Sequence, residues 1–144
     1  LEELDLLIKC GKINESVFAQ TGYSSYKPHN YNYCKFLDQQ SFRKNIKSSS
    51  LVITHGGTGA IITALKDEKK VIAVPRKKEY GEHIDNHQIE IVKKFANMNI
   101  IEPCYNVEDL GEAYDKVNKS RFIKYKSSNS KYIEYISNFL EKNL

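Results

Sequence analysis

Three features are scarce in this chain of 144 residues, and each scarcity excludes a class of protein. Cysteine occurs only at positions 10, 34 and 104, an odd number of widely spaced thiols with no Cys-x-x-Cys. That excludes a disulfide scaffold, a zinc ribbon and a dithiol redox motif, and isolated thiols suit a reducing cytoplasm. Apolar runs are short, far below the roughly 18 residues of a membrane span. Arginine is limited to Arg43, Arg76 and Arg121, and the nearest candidate for a basic stripe with interleaved aromatics is KVNKSRFIKYK, residues 116–126, which reads mainly as a solvated face, so nucleic-acid binding is not expected. The start, LEELD, is acidic and lacks the basic region of a signal peptide. It also lacks an initiator Met, as in a processed, trimmed or fragmentary chain.

What is present points to a packed domain. Hydrophobic residues make up 40% of the chain, and 22 basic against 18 acidic residues give a net charge of +4. Mixed charge with frequent apolar segments excludes a disordered chain. The length suits one domain over residues 1–144. The lysine-rich segment 116–126 reads mainly as a solvated face, with a patch near anionic headgroups as its alternative.

Apolar periodicity predicts a helix over residues 1–9 with Gly11 as its stop. Strands are expected at 16–20, 31–37, 51–54, 71–74 and 98–101. Asp38 is placed to cap a helix reaching about residue 47. Further helices are expected over 60–67, 83–95 and 107–118, and an amphipathic one within 127–144. The helix over 83–95 brings Ile84, His87, Ile91 and Phe95 to one face. Short apolar strands alternating with helices imply βαβ units, and strands without period-2 alternation imply burial on both faces. The expected fold is therefore α/β, a Rossmann-like parallel sheet with helices on both faces. A strand should precede the first helix, so the first strand of the sheet is expected to be missing from this sequence.

The most informative segment is LVITHGGTG, residues 51–59, where a strand ends in a glycine-rich turn and a helix begins. Glycines let a backbone approach an anion and adopt φ > 0, and a helix N-terminus offers N–H groups and a positive dipole end. Ligands of open α/β sheets bind at the strand carboxyl ends, so a phosphate or diphosphate is the natural guest. Competing motifs fit poorly: no Lys-Ser/Thr follows Gly59, and HGGTGA is not G-x-G-x-x-G. A tight turn without a ligand stands as the alternative. His55 and Thr58 add a cation-capable donor and a hydroxyl, which favour the anion.

The second segment runs from Val74-Pro75-Arg76 to GEHIDNHQ, residues 81–88, and follows the next strand on the same sheet edge. Its polar density suits hydrogen bonds to sugar hydroxyls; a solvent-facing first helical turn is the plainer reading. His83 and His87 stand four apart, but the Glu of H-E-x-x-H is absent, so no metal site is expected.

HGGTGA followed by GEHIDNHQ resembles the C-terminal, donor-binding half of GT-B glycosyltransferases of the family 28 type. It is similar in particular to small stand-alone subunits of two-chain transferases. These include bacterial exopolysaccharide enzymes, which VPRKKEYGEHIDNHQ favours, and the catalytic subunit that adds the second N-acetylglucosamine on dolichol. The resemblance implies inverting transfer of a sugar from a UDP-sugar to a lipid-linked acceptor, without a metal. His55 would stabilise the leaving diphosphate, which Gly56, Gly57, Thr58 and Gly59 would cradle. Arg76, Glu82, His83, Asp85, Asn86, His87 and Gln88 would bind the donor, with Asp85 and Gln88 foremost on its sugar hydroxyls. Thr63 stands where many relatives carry an acidic residue for the ribose, and a hydroxyl bonds a ribose more weakly. The general base is not assignable. A membrane-anchored partner would supply the acceptor half and hold the complex at the inner face of the plasma membrane. A non-catalytic subunit that stabilises a separate transferase is the alternative. Tyr132, Ile133, Ile136, Phe139 and Leu140 on the last helix, and Tyr23, Tyr26, Tyr31 and Tyr33, are candidate docking residues or ordinary packing.

Overall fold

A computed structural model describes residues 1–77, 87–126 and 138. The elements run α1 (Glu2–Lys9), β1 (Phe18–Gln20), β2 (Asn32–Cys34), α2 (Gln39–Ser48), β3 (Leu51–Thr54), α3 (Thr58–Lys66), β4 (Lys70–Ala73), α4 (His87–Asn97), β5 (Glu102–Pro103) and α5 (Leu110–Lys119). A 3-10 turn, Val107–Asp109, leads into α5. All described strand pairs are parallel. β1 pairs with β2, and β4 lies between β3 and β5.

Local chemistry sets the boundaries. Asp38 caps α2 as expected, with Oδ1 accepting from Ser41 N at 2.8 Å and Oδ2 from Ser41 Oγ at 2.8 Å. Gly11 stops α1 in the left-handed region at φ +77. There Gly11 N donates to Ile8 O at 3.0 Å and Lys12 N to Leu7 O at 2.9 Å, the paired bonds of a Schellman turn. The strand expected at 98–101 is instead another such turn. Asn99 takes φ +54, Asn99 N donates to Ala96 O and Ile100 N to Phe95 O. Ile100 and Ile101 are buried there, so their apolarity reflects burial of a turn. The strand begins only at Glu102.

β4 shows why the strands lack alternation. Val71 and Ala73 face a cluster formed by Ile46 of α2, Ile61, Ala64 and Leu65 of α3, and Ile91, Val92 and Phe95 of α4. Ile72 faces the other cluster, with Leu4 of α1, Cys104, and Leu110, Ala113 and Val117 of α5. Both faces are covered, as a parallel sheet with βαβ crossovers requires. The fold is thus the expected Rossmann-like α/β arrangement. All three cysteines are unpaired, and burial pushes the Cys104 thiol up to about 11.

After α5 the chain forms a strap. Phe122 packs on the second cluster and Tyr125 on the first. Between them Ile123 N donates to Asn99 O at 2.9 Å, and Lys124 pairs with Glu68 at 3.3 Å. The Tyr125 hydroxyl is buried and has no hydrogen-bond partner among the described residues. A buried donor left unpaired destabilises, and Phe fills the same volume without it. Tyr125→Phe is therefore expected to raise stability by about 1 kcal/mol, read as a rise in Tm of about 3 °C in thermal melts.

Candidate functional site

The turn at 55–59 stands at the carboxyl end of β3, beside the central strand. Gly57 is the N-cap of α3, and no side chain caps the helix. The ladder opens with Ile61 N donating to Gly57 O at 3.3 Å, so the amides of Thr58, Gly59 and Ala60 precede the first intrahelical donor. The neighbouring helix starts are compensated. Asp38 caps α2, and Glu90 and Glu112 lie in the first turns of α4 and α5. The first turn of α3 has no acidic residue. Among the described helices its positive dipole end is therefore the one left unopposed by a local carboxylate.

The glycines serve space rather than unusual torsions. The expectation of φ > 0 is not met at 56, 57 and 59: among the described residues the glycines with positive φ are Gly11 and Gly22. A Cβ on Gly56 would stand 2.7 Å from Gln88 Cβ, 3.0 Å from Gln88 O and 3.1 Å from Val92 Cγ2. A Cβ on Gly57 would stand 2.7 Å from His55 Nε2, so the imidazole lies over the N-cap. Beside Gly59 nothing stands within 4 Å of such a Cβ. His55 is half-buried, with Nδ1 3.5 Å from Thr54 Oγ1. Thr63 donates its hydroxyl proton to Gly59 O at 2.8 Å, which leaves its oxygen an acceptor.

The chain leaving β4 lies on the same edge. Val74 N donates to Thr54 O at 2.8 Å and continues the ladder. Arg76 has an exposed side chain, and its backbone N donates to Gln88 Oε1 at 2.9 Å. Lys77 Nζ donates to Asn106 Oδ1 at 2.9 Å, tying this segment to the loop after β5. His87 is half-buried at the start of α4, and Gln88 is 7% exposed. Ile91 and Phe95 reach the core as expected. Glu82, His83, Ile84, Asp85 and Asn86 lie outside the described residues, as does the expected apolar stripe on the last helix. Among the described residues no group of three or more His, Cys, Asp or Glu could hold a metal, and no helix is long and apolar enough to cross a membrane.

Two further features went unread in the sequence. Tyr23 and Phe36, on the loops after β1 and β2, form an edge-to-face pair at 5.1 Å and face water. An exposed aromatic pair at strand carboxyl ends offers a surface for a planar apolar group. Asp5 is buried inside the loop that follows β1. It accepts from Tyr26 Oη at 2.7 Å, His29 N at 2.8 Å, Asn30 N at 2.8 Å and Asn30 Nδ2 at 3.0 Å. Tyr31 Oη donates to Leu1 O at 3.0 Å. Tyr26 and Tyr31 thus fasten this chain to its own first helix, whereas Tyr33 and Tyr23 remain exposed.

Residues 1–140 match the glycosyltransferase family 28 C-terminal domain. The chain belongs to that family. Two curated relatives of this glycosyltransferase domain are fungal. The UDP-N-acetylglucosamine transferase subunit ALG13 of Candida albicans is 32% identical over 78 residues, covering 54% of this chain and 25% of the relative. The protein of the same name from Kluyveromyces lactis is 31% identical over 103 residues, covering 70% of this chain and 50% of the relative. The matched part therefore spans half or less of these relatives' length. No solved structure matches. These relatives carry the name of an N-acetylglucosamine transferase subunit, so they lend no support to the bacterial exopolysaccharide assignment.

Proposed function

We propose that this glycosyltransferase-family chain is a subunit of a two-component enzyme that uses a UDP-sugar. In this reading it presents a donor-binding edge to a second protein carrying the acceptor half. The observation that carries the reading is the uncapped, acid-free start of α3 at the carboxyl edge of a parallel sheet. The amides of Thr58, Gly59 and Ala60 would receive the diphosphate there. The open side of Gly59 leaves room for it, and His55 lies beside the same N-cap. Charge that develops on the leaving diphosphate would then be met by fixed donors, which stabilise the transition state more than the ground state. The names of the fungal relatives favour UDP-N-acetylglucosamine as donor. A lipid-linked acceptor and recruitment to the inner face of a membrane through the partner complete the proposal. A general base on the partner would fit the two-component form.

A second reading makes the chain an accessory subunit that stabilises a separate transferase. The word subunit in both relatives' names favours it. His55→Ala separates the two. If the chain supplies the diphosphate site, the variant complex retains its partner and loses activity with UDP-N-acetylglucosamine by about 100-fold, the effect of removing one oxyanion donor. Activity equal to wild type in the assembled complex would establish the accessory role.

A further inference from the structure

One side chain joins the two strand-end segments of the candidate site. Gln88, in the first turn of α4, is almost fully buried. Its Oε1 accepts from the backbone N of Arg76, on the chain leaving β4. Its own Cβ and carbonyl oxygen stand 2.7 and 3.0 Å from the place a Cβ on Gly56 would take. Val92, one turn further along α4, closes the same contact at 3.1 Å. The start of α4 therefore touches the turn at 55–59 through its backbone and the chain leaving β4 through its amide.

This geometry is well suited to a brace. A buried amide with its oxygen on a backbone donor has one of its polar groups already satisfied. Removing that oxygen would leave the half-buried Arg76 amide without its acceptor, and a donor that loses its partner destabilises the segment that carries it. The contact at Gly56 is with the Cβ and carbonyl oxygen of Gln88, both fixed by the helix, so it shifts only if the first turn of α4 shifts with it.

We propose that Gln88 is a positioning residue, which locks the chain leaving β4 to the turn at 55–59 and so tunes nucleotide affinity through groups it does not share with the ligand. The proposal rests on the donor-binding reading above. The full chain is compared with Gln88→Met, which keeps the volume and removes the acceptor. A second comparison is Gln88→Glu, which keeps an acceptor oxygen at the same reach and removes the amide protons. Two readouts are taken: hydrogen exchange of the Arg76 amide without ligand, and calorimetric titration with UDP and with UDP-N-acetylglucosamine. Gln88→Met is expected to speed Arg76 exchange roughly tenfold, the equivalent of one net hydrogen bond, and to weaken UDP and UDP-N-acetylglucosamine by a common factor. Gln88→Glu restores the protection at Arg76. Should Gln88→Met not fold, Gln88→Asn, one methylene short of Arg76, gives the same comparison. Unchanged exchange at Arg76 overturns the proposal. So does a loss confined to UDP-N-acetylglucosamine with UDP binding intact, which would mark a direct sugar contact. Wild-type chain that binds neither nucleotide refutes the donor-binding reading instead, and the exchange measurement then decides the lock by itself.

Discussion

Gly56→Ala is expected to destabilise the protein by about 2 kcal/mol, whereas Gly59→Ala is expected to stabilise it. The two glycines stand three residues apart in one turn, and their surroundings are opposite. At Gly56 the added methyl meets the Cβ and backbone oxygen of Gln88, and no flexible side-chain end can yield in its place. The first turn of α4 must move away from α3, and the packing of Val92 in the core moves with it. At Gly59, inside α3, the methyl meets nothing. Alanine there restores helix propensity worth about 0.5–1 kcal/mol. Thermal melts of the two single variants check both signs, with a fall of about 6 °C for Gly56→Ala. In the donor-binding reading Gly59→Ala also weakens UDP binding while Tm rises, because its methyl enters the open space beside the helix start. A Gly56→Ala variant melting within a degree of wild type would refute the close approach of α3 and α4.

The second large effect belongs to Asp5. Burial raises the pKa of this carboxyl. The hydrogen bonds from the His29 amide, the Tyr26 hydroxyl and the Asn30 amide and side chain outweigh burial and hold it well below its ordinary value of 3.8. A group whose folded pKa is depressed stabilises the fold above the unfolded value. That stability is complete above about pH 4 and drains away as pH falls toward the folded pKa. Wild-type urea midpoints are therefore expected to fall between pH 4 and pH 2, and Asp5→Asn is expected to show a flatter profile with a lower plateau. Asp5→Ala leaves four donors facing an empty acceptor position and is expected to lower Tm by about 10 °C. The Tyr26 phenol reports the same contact. The hydrogen bond to Asp5 is the main cause that pushes it up to about 12, and it returns toward 10 in Asp5→Asn, as ultraviolet titration would show. An unchanged Tyr26 titration would disprove the pairing.

What the sequence makes legible is chemistry that acts over a few residues. The Asp38 cap, the Gly11 stop and β3 at Leu51–Thr54 follow from neighbours, and all are found. The turn at 55–59 was recognisable for the same reason: strand, glycines and helix start are contiguous. The misplaced strand at 98–101 shows the limit. Ile100 and Ile101 are apolar because the turn after α4 is buried, and periodicity over four residues does not separate a buried turn from a buried strand. The glycines illustrate a second limit. Their need for φ > 0 was inferred from type, whereas Gly56 and Gly57 are required by Gln88 and His55, contacts that local pattern does not encode. The Asp5 cluster joins residues about 25 positions apart, and nothing at Asp5 itself marks it as other than a first-turn acid. Gln88 was named for its type and neighbours, but its bond to Arg76 spans 12 residues and appears only once α4 is folded.

The arrangement of helix starts has a kinetic consequence for any anionic ligand. Asp38 and Glu90 place negative charge where α2 and α4 begin, Glu112 at the start of α5 is ion-paired with Lys116, and α3 is the gap in this fence. A dianion approaching the starts of α2 and α4 meets a carboxylate and at α3 meets none, so its landing at α3 is guided by repulsion as well as by attraction. Added salt would blunt the fence and the gap together, making encounters more frequent at α2 and α4 and less selective.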